Sequence, residues 1–192
     1  MSSNSNEILK YVLSNENQDL SIRNIAHQLN KDYKNIYNLI KKLSKENIIK
    51  IEKIGNSNII KPLKNPNPYF FQAEYSRRED ILKNSKIKNI FNLLSKFYFP
   101  RIVLLFGSYG KNIYNKHSDI DLMIISEEKY HENIDRKIKI LPYDIHPVFL
   151  DFEEFKQSAT KKEFNVVNEA IKQNIILNGI EDYYQLIKNI DK

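Results

Sequence analysis

What most constrains this chain is an unbroken apolar run, Ile102-Val103-Leu104-Leu105-Phe106, that stops at Gly107-Ser108-Tyr109-Gly110-Lys111. β-branched and large apolar residues without polar alternation read as a strand buried on both faces. Asp119 follows Gly107 by twelve residues, within Ser118-Asp119-Ile120-Asp121-Leu122-Met123-Ile124-Ile125, a second strand whose start carries two carboxylates. Residues i and i+2 of a strand share a face, so Asp119 and Asp121 converge while Ile120 and Leu122 turn to the core. Like charges that close are costly unless a cation sits between them. A hard divalent ion such as Mg2+ suits carboxylate oxygens and keeps positions open for substrate phosphates. Gly107 permits close backbone approach at the strand end. Ser108 adds a hydroxyl, and amides there can meet phosphate if a helix starts at the turn.

The run LFGSYGKNIYNKHSDIDLMII resembles the signature of the DNA polymerase beta-like nucleotidyltransferase superfamily, in its short minimal branch. That resemblance implies a small domain with a mixed sheet flanked by helices. It further implies transfer of a nucleoside monophosphate, with ATP the expected donor and AMP the expected group, to a protein, RNA or small-molecule acceptor. Asp119 and Asp121 would hold Mg2+, Gly107 and Ser108 would position the phosphates, and a third carboxylate is called for on a neighbouring strand. Asp144, in Pro142-Tyr143-Asp144-Ile145-His146-Pro147-Val148-Phe149-Leu150, is the best match for a residue both catalytic and metal-binding. Asp135 and Asp151 compete, although Asp151 sits where a helix cap is wanted before Phe152. His146 shares the alternation phase of Asp144, but a lone strand histidine is more often structural and stays outside the catalytic set. Pro147 restricts its strand to an edge or a bulge. One departure is Asn112 where relatives often carry glycine; asparagine tolerates positive φ better than most residues. Lys111, Lys116 and His117 in the same loop could assist a triphosphate, though solvated loop charges are commoner.

The chain carries 30 basic and 24 acidic side chains, net +6, and the excess is local. Residues 1–68 hold 11 basic and 6 acidic groups, so the first third has nearly all of it. Three helical patterns open this segment, with Ile8, Leu9, Val12 and Leu13 in the first. Ser21 is placed to cap a second, with Ile22, Ile25, Ala26 and Leu29 on one stripe, and Asp32 a third, with Ile36, Leu39, Ile40 and Leu43. Two such helices joined by Asn30-Lys31-Asp32 match a helix-turn-helix. Period-two alternation at Ile49 and Ile51, turn residues Gly55-Asn56-Ser57-Asn58 and a return through Ile59-Ile60-Lys61 add a hairpin, giving a winged helix. The polar side of the third helix, Tyr33, Lys34, Asn35, Tyr37, Asn38 and Lys41 with Lys42, suits DNA: lysines neutralise phosphates, while Asn and Tyr reach bases or stack. Lys50, Lys53 and Lys61 would add wing charge. A solvated helix face or a protein-binding module are the plainer readings.

The expected organisation is α+β: a winged helix-turn-helix domain over 1–63, a linker and connecting helix over 64–84 marked by Pro66 and Pro68, and a nucleotidyltransferase domain over 85–192. Within the last, Ser85 is expected to cap a helix bearing Ile87, Ile90, Phe91, Leu94 and Tyr98, stopped by Pro100. Phe164, Val167, Ala170 and Ile171 form another stripe, Ile175-Ile176-Leu177 a strand turning at Asn178-Gly179, and Tyr184, Leu186 and Ile187 a last helix. Cysteine is absent, which excludes disulfides, thiol chemistry and cysteine-ligated zinc. No apolar stretch approaches the ~20 residues of a membrane span, and the polar N-terminus lacks a signal core, so no membrane partner and a cytoplasmic setting are expected. There is no phosphate-loop, nucleophile-elbow or His-Glu-x-x-His motif. The competing reading is a catalytically silent DNA-binding regulator or antitoxin-like module, with a toxin partner, that keeps the transferase fold as scaffold. Nucleotide addition to RNA ends is a third, disfavoured by length.

Overall fold

The computed structural model describes residues 3–190 except Asn17, Asp19, Asn56, Pro100, Lys162, Phe164 and Asn189; the expectations placed on Asn56, Pro100 and Phe164 lie outside the described residues. The chain divides into two compact units, 1–73 and 74–192.

In the first unit, α1 (Ser3–Ser14), α2 (Ile22–Gln28) and α3 (Tyr33–Lys45) precede a hairpin of β1 (Ile49–Ile54) and β2 (Ser57–Pro62). The caps form as the sequence suggests: Ser21 accepts from the Asn24 amide and Asp32 from the Asn35 amide, at 3.1 and 3.0 Å. Each satisfies a donor that the first helical turn leaves open. The turn between α2 and α3 uses Asn30 at φ 50°. Ile8, Leu9, Val12, Ile25, Ile36, Ile40 and Ile60 are all buried, so the three amphipathic stripes face one core. The hairpin joins that core through β2, where the Ile60 amide donates to the Leu20 carbonyl at 2.8 Å.

Helix α4 (Pro68–Ile81) crosses the division between the units. Pro68 opens it, a position where its missing N–H costs nothing. Within the second unit α4 contributes Glu74, whose carboxylate takes both bonds from Arg77 Nη1 (3.0 and 2.8 Å) and one from the Tyr184 hydroxyl (3.0 Å). All three residues are buried, a polar knot that no periodicity in the sequence announces.

The second unit is built on a mixed sheet in the order β5-β4-β3-β6, comprising β3 (Ile102–Leu105), β4 (Ile120–Ile125), β5 (Ile145–Leu150) and β6 (Ile175–Asn178). β3 runs antiparallel to β4 and β6; β4 and β5 are parallel. β3 is buried throughout, as is β4 beyond Asp121, which explains their lack of alternation. Pro147 lies on the edge strand β5, where a missing donor is tolerated. Helices α5 (Ser85–Leu94), α6 (Gly107–Gly110), α7 (His131–Ile138), α8 (Phe152–Ala159), α9 (Val166–Lys172) and α10 (Ile180–Ile187) complete the unit.

Two local expectations need correction. Asn84, rather than Ser85, caps α5, accepting from the amides of Lys86 and Ile87. The helix also ends at Leu94, so Tyr98 leaves the apolar stripe and is fully exposed. Arg101 replaces the expected continuation: its guanidinium donates to the carbonyls of Leu94, Phe97 and Phe99, satisfying groups that the helix end leaves open. Among the described residues, no helix is long and apolar enough to cross a membrane.

Candidate metal and nucleotide site

The site lies where β3 ends and β4 begins. The turn at Gly107 is tight, with φ 59°, and a Cβ built there would come within 1.9 Å of Asp121 Oδ2. Glycine is therefore required twice over, by the left-handed backbone and by the carboxylate pressed against it. The Phe106 amide donates to the Asp121 carbonyl at 3.1 Å, fixing the turn to the strand that carries the acid. α6 starts at Gly107. Ser108 Oγ is buried and finds no hydrogen-bond partner among the described residues. Asn112 takes φ 55°, a left-handed backbone that asparagine tolerates better than most residues.

Asp119 and Asp121 share a face, and Ile120 and Leu122 are buried on the other. The parallel register sets Asp121 opposite His146 on β5. His146 Nδ1 lies 3.3 Å from Asp119 Oδ2 and 4.0 Å from Asp121 Oδ1. One ligand atom from each of Asp119, Asp121 and His146 falls within 4.8 Å of the others, close enough for one metal ion to be held by all three.

Asp144 stands just before β5, its carbonyl accepting from the Ile120 amide at 2.9 Å. Its carboxylate is largely exposed and lies 3.2 Å from His146 Nε2, on the far side of the ring from the aspartate pair. The structure thus brings Asp119, Asp121 and His146 into one cluster and reaches Asp144 through the imidazole. His146 is the residue that sequence reasoning set aside; its shared phase with Asp144 was the available signal. The competitors lie elsewhere: Asp135 pairs with Lys139 on α7, and Asp151 caps α8 in a reciprocal capping box with Glu154. Lys111 is engaged by Glu169 at 2.8 Å, and the Lys116 carbonyl accepts from Lys86 Nζ.

Burial raises the Asp121 carboxyl above its ordinary value, and the Asp119 charge adds to this; His146 opposes it, Glu169 raises it further and Lys111 opposes it again. A raised native value favours the folded state only while the group is protonated, and that contribution is lost as pH rises through the native value. At neutral pH the ionised Asp121 carboxylate works against the fold, a penalty that a bound cation would relieve. The donor set, the left-handed turn and the unpartnered Ser108 hydroxyl together fit a divalent cation and its ligands.

On α3 of the first unit, Tyr33, Lys34, Asn35, Asn38 and Lys41 are exposed and Tyr37 is half-buried. The Tyr33 and Tyr37 rings stack with centroids 6.1 Å apart, and Lys41 Nζ lies 5.5 Å above Tyr37. On the hairpin, Lys50 and Lys61 both pair with Glu52, at 3.0 and 2.7 Å, so that surface carries less free positive charge than its lysines alone suggest.

A small sheet with paired carboxylates at a strand start, against a glycine turn, defines a nucleotidyltransferase-type domain. The family described as Polymerase beta, Nucleotidyltransferase matches residues 85–181, half of the chain, and the chain belongs to it. No curated protein matches the chain. One solved structure, "Crystal structure of the toxin-antitoxin with AMP-PNP", is similar over 56% of this chain and 86% of that one, at 17% identity and a TM-score of 0.35. That likeness is too loose to transfer a ligand or a partner.

Gly107→Ala is expected to cost about 1–2 kcal/mol for the left-handed backbone alone and to displace the Asp121 carboxylate. Thermal unfolding with and without a divalent cation checks this: the variant should melt lower and lack the cation-induced rise expected of the wild type.

Proposed function

We propose that this protein is a divalent-cation-dependent nucleotidyltransferase that moves a nucleoside monophosphate from a triphosphate, ATP by expectation, to an acceptor hydroxyl and releases pyrophosphate. The observation that carries this is the contact of the Gly107 turn with the Asp121 carboxylate, with Asp119 and His146 converging on the same point. Asp119 and Asp121 would hold the cation, Mg2+ being the ion that the family resemblance implies. When bound, it would neutralise charge on the triphosphate and lower the pKa of the attacking hydroxyl. Gly107 and Ser108 are the residues that the family resemblance assigns to positioning the phosphates; glycine lets the Asp121 carboxylate lie against the turn, and Ser108 Oγ has no hydrogen-bond partner among the described residues. Asp144 is the third carboxylate of this reading, acting from the outer side of His146. The acceptor is a protein, such as a toxin partner, or an RNA or a small molecule.

The first unit is read as a winged helix that contacts DNA. Supporting this, Tyr33, Lys34, Asn35, Asn38 and Lys41 on α3 are exposed while Ile36, Ile40 and Leu43 are buried. A groove of about 620 Å³ beside them is lined by Ser21, Arg23, His27, Tyr33, Ser57 and Asn58, which adds Arg23 and His27 to the face. Phosphate contacts release counterions, so such binding weakens as salt rises.

Two measurements test these readings. Incubation with triphosphates labelled on the α-phosphate, in the presence of cell lysate, should label one acceptor; Asp119→Ala should abolish labelling without unfolding the protein, and full labelling by that variant contradicts the enzyme. In a mobility shift on DNA from its own promoter, Lys34→Ala with Lys41→Ala should weaken binding. The same change should reduce the log–log salt slope by about one per lost phosphate contact. Unchanged binding and slope contradict the DNA face.

A further inference from the structure

We infer that His146 is a direct nitrogen ligand of the metal bound by Asp119 and Asp121, so that the site prefers Mn2+ or a similar imidazole-accepting divalent ion over Mg2+. This rests on the proposal that the two aspartates hold a cation and specifies which cation the site selects.

The argument starts from register. β4 and β5 are parallel with Asp121 opposite His146, and the alternation that turns Asp121 to the site turns His146 there too. The ring enters with Nδ1 forward, 3.3 Å from Asp119 Oδ2 and 4.0 Å from Asp121 Oδ1. Those spacings are those of donor atoms grouped around a common centre, and all three ligand atoms fit within 4.8 Å. Behind the ring, Asp144 Oδ1 lies 3.2 Å from Nε2. A carboxylate behind a ligating histidine favours the proton on the rear nitrogen, leaves the front lone pair free and fixes the ring's orientation. Asp144 is thereby a positioning residue for His146. The backbone bond from the Ile120 amide to the Asp144 carbonyl holds it at the required level.

Replacing one oxygen donor by an imidazole nitrogen changes the metal preference. Mg2+ is hard, demands near-octahedral geometry and is bound through carboxylates and water. Imidazole suits later first-row ions better, and affinity for a mixed nitrogen–oxygen site rises from Mn2+ along that series. Mn2+ stands lowest in that series and shares carboxylate and water ligands with Mg2+, so a preference for Mn2+ over Mg2+ is the smallest shift that the nitrogen donor should produce.

The test uses Mn2+ alone with the full chain, at fixed neutral pH and without nucleotide. Binding is followed by loss of the free-ion electron paramagnetic resonance signal, and Mg2+ affinity by competition. The wild-type Mn2+ complex should show nitrogen hyperfine coupling from one imidazole. His146→Asp, which restores an all-oxygen set, should still bind Mn2+ but lose that coupling. Its Mn2+-to-Mg2+ affinity ratio should fall about tenfold or more, the scale on which changes around metal sites alter affinity. Asp144→Asn should keep the coupling with weakened Mn2+ affinity. Bound Mn2+ without nitrogen coupling in the wild type, or an unchanged ratio in His146→Asp, overturns the inference and leaves the aspartate site standing. No Mn2+ uptake by the wild type at millimolar concentration overturns the metal site as well, and the two failures are thus distinguishable.

Discussion

Everything at the candidate site depends on the burial of one face of β4. Ile120, Leu122 and Ile124 are committed to the core, and a pleated strand then has no choice but to turn Asp119 and Asp121 together toward the opposite side. Burial and the neighbouring Asp119 charge both raise the Asp121 carboxyl, so its ionised form is held at a cost. The fold tolerates the repulsion at a strand start, beside a turn so tight that no side chain fits. Placing like charges where a cation can join them would let a small sheet with short loops build the proposed centre for polyphosphate chemistry.

Much of this was legible because it rests on local rules. Strand burial, the i, i+2 pairing of the aspartates, the caps at Ser21 and Asp32, and the left-handed tolerance of Asn112 follow from backbone geometry, and the structure contains all of them. The edge position of β5 follows likewise from Pro147. What was not legible depends on particular side-chain contacts that no periodicity encodes, some of them local and one between segments far apart in sequence. α5 ends at Leu94, whose carbonyl accepts from Arg101 along with those of Phe97 and Phe99 beyond the helix, and Tyr98 in that segment is exposed. The Glu74, Arg77 and Tyr184 knot spans more than a hundred residues. The neutralisation of Lys50 and Lys61 by Glu52 requires the hairpin register.

His146 falls between these two cases. Its face was legible from alternation; its distance to Asp119 was not, since that depends on β5 lying parallel to β4 with His146 opposite Asp121. The sequence favours Asp144 because a carboxylate is the expected donor. In the structure the two residues stand in series, the carboxylate next to Nε2 of the ring and Nδ1 toward the aspartates. Two positions along the chain, 144 against 146, would thus separate the proposed ligand from the group proposed to orient it.

The central claim is that the carboxylates of Asp119 and Asp121 together grip one divalent cation beside the Gly107 turn. Its most direct test is anomalous scattering from a crystal grown with manganese. The account predicts a peak within bonding distance of an oxygen from each aspartate. Density elsewhere, with the two side chains turned apart or occupied by cationic neighbours, would contradict it.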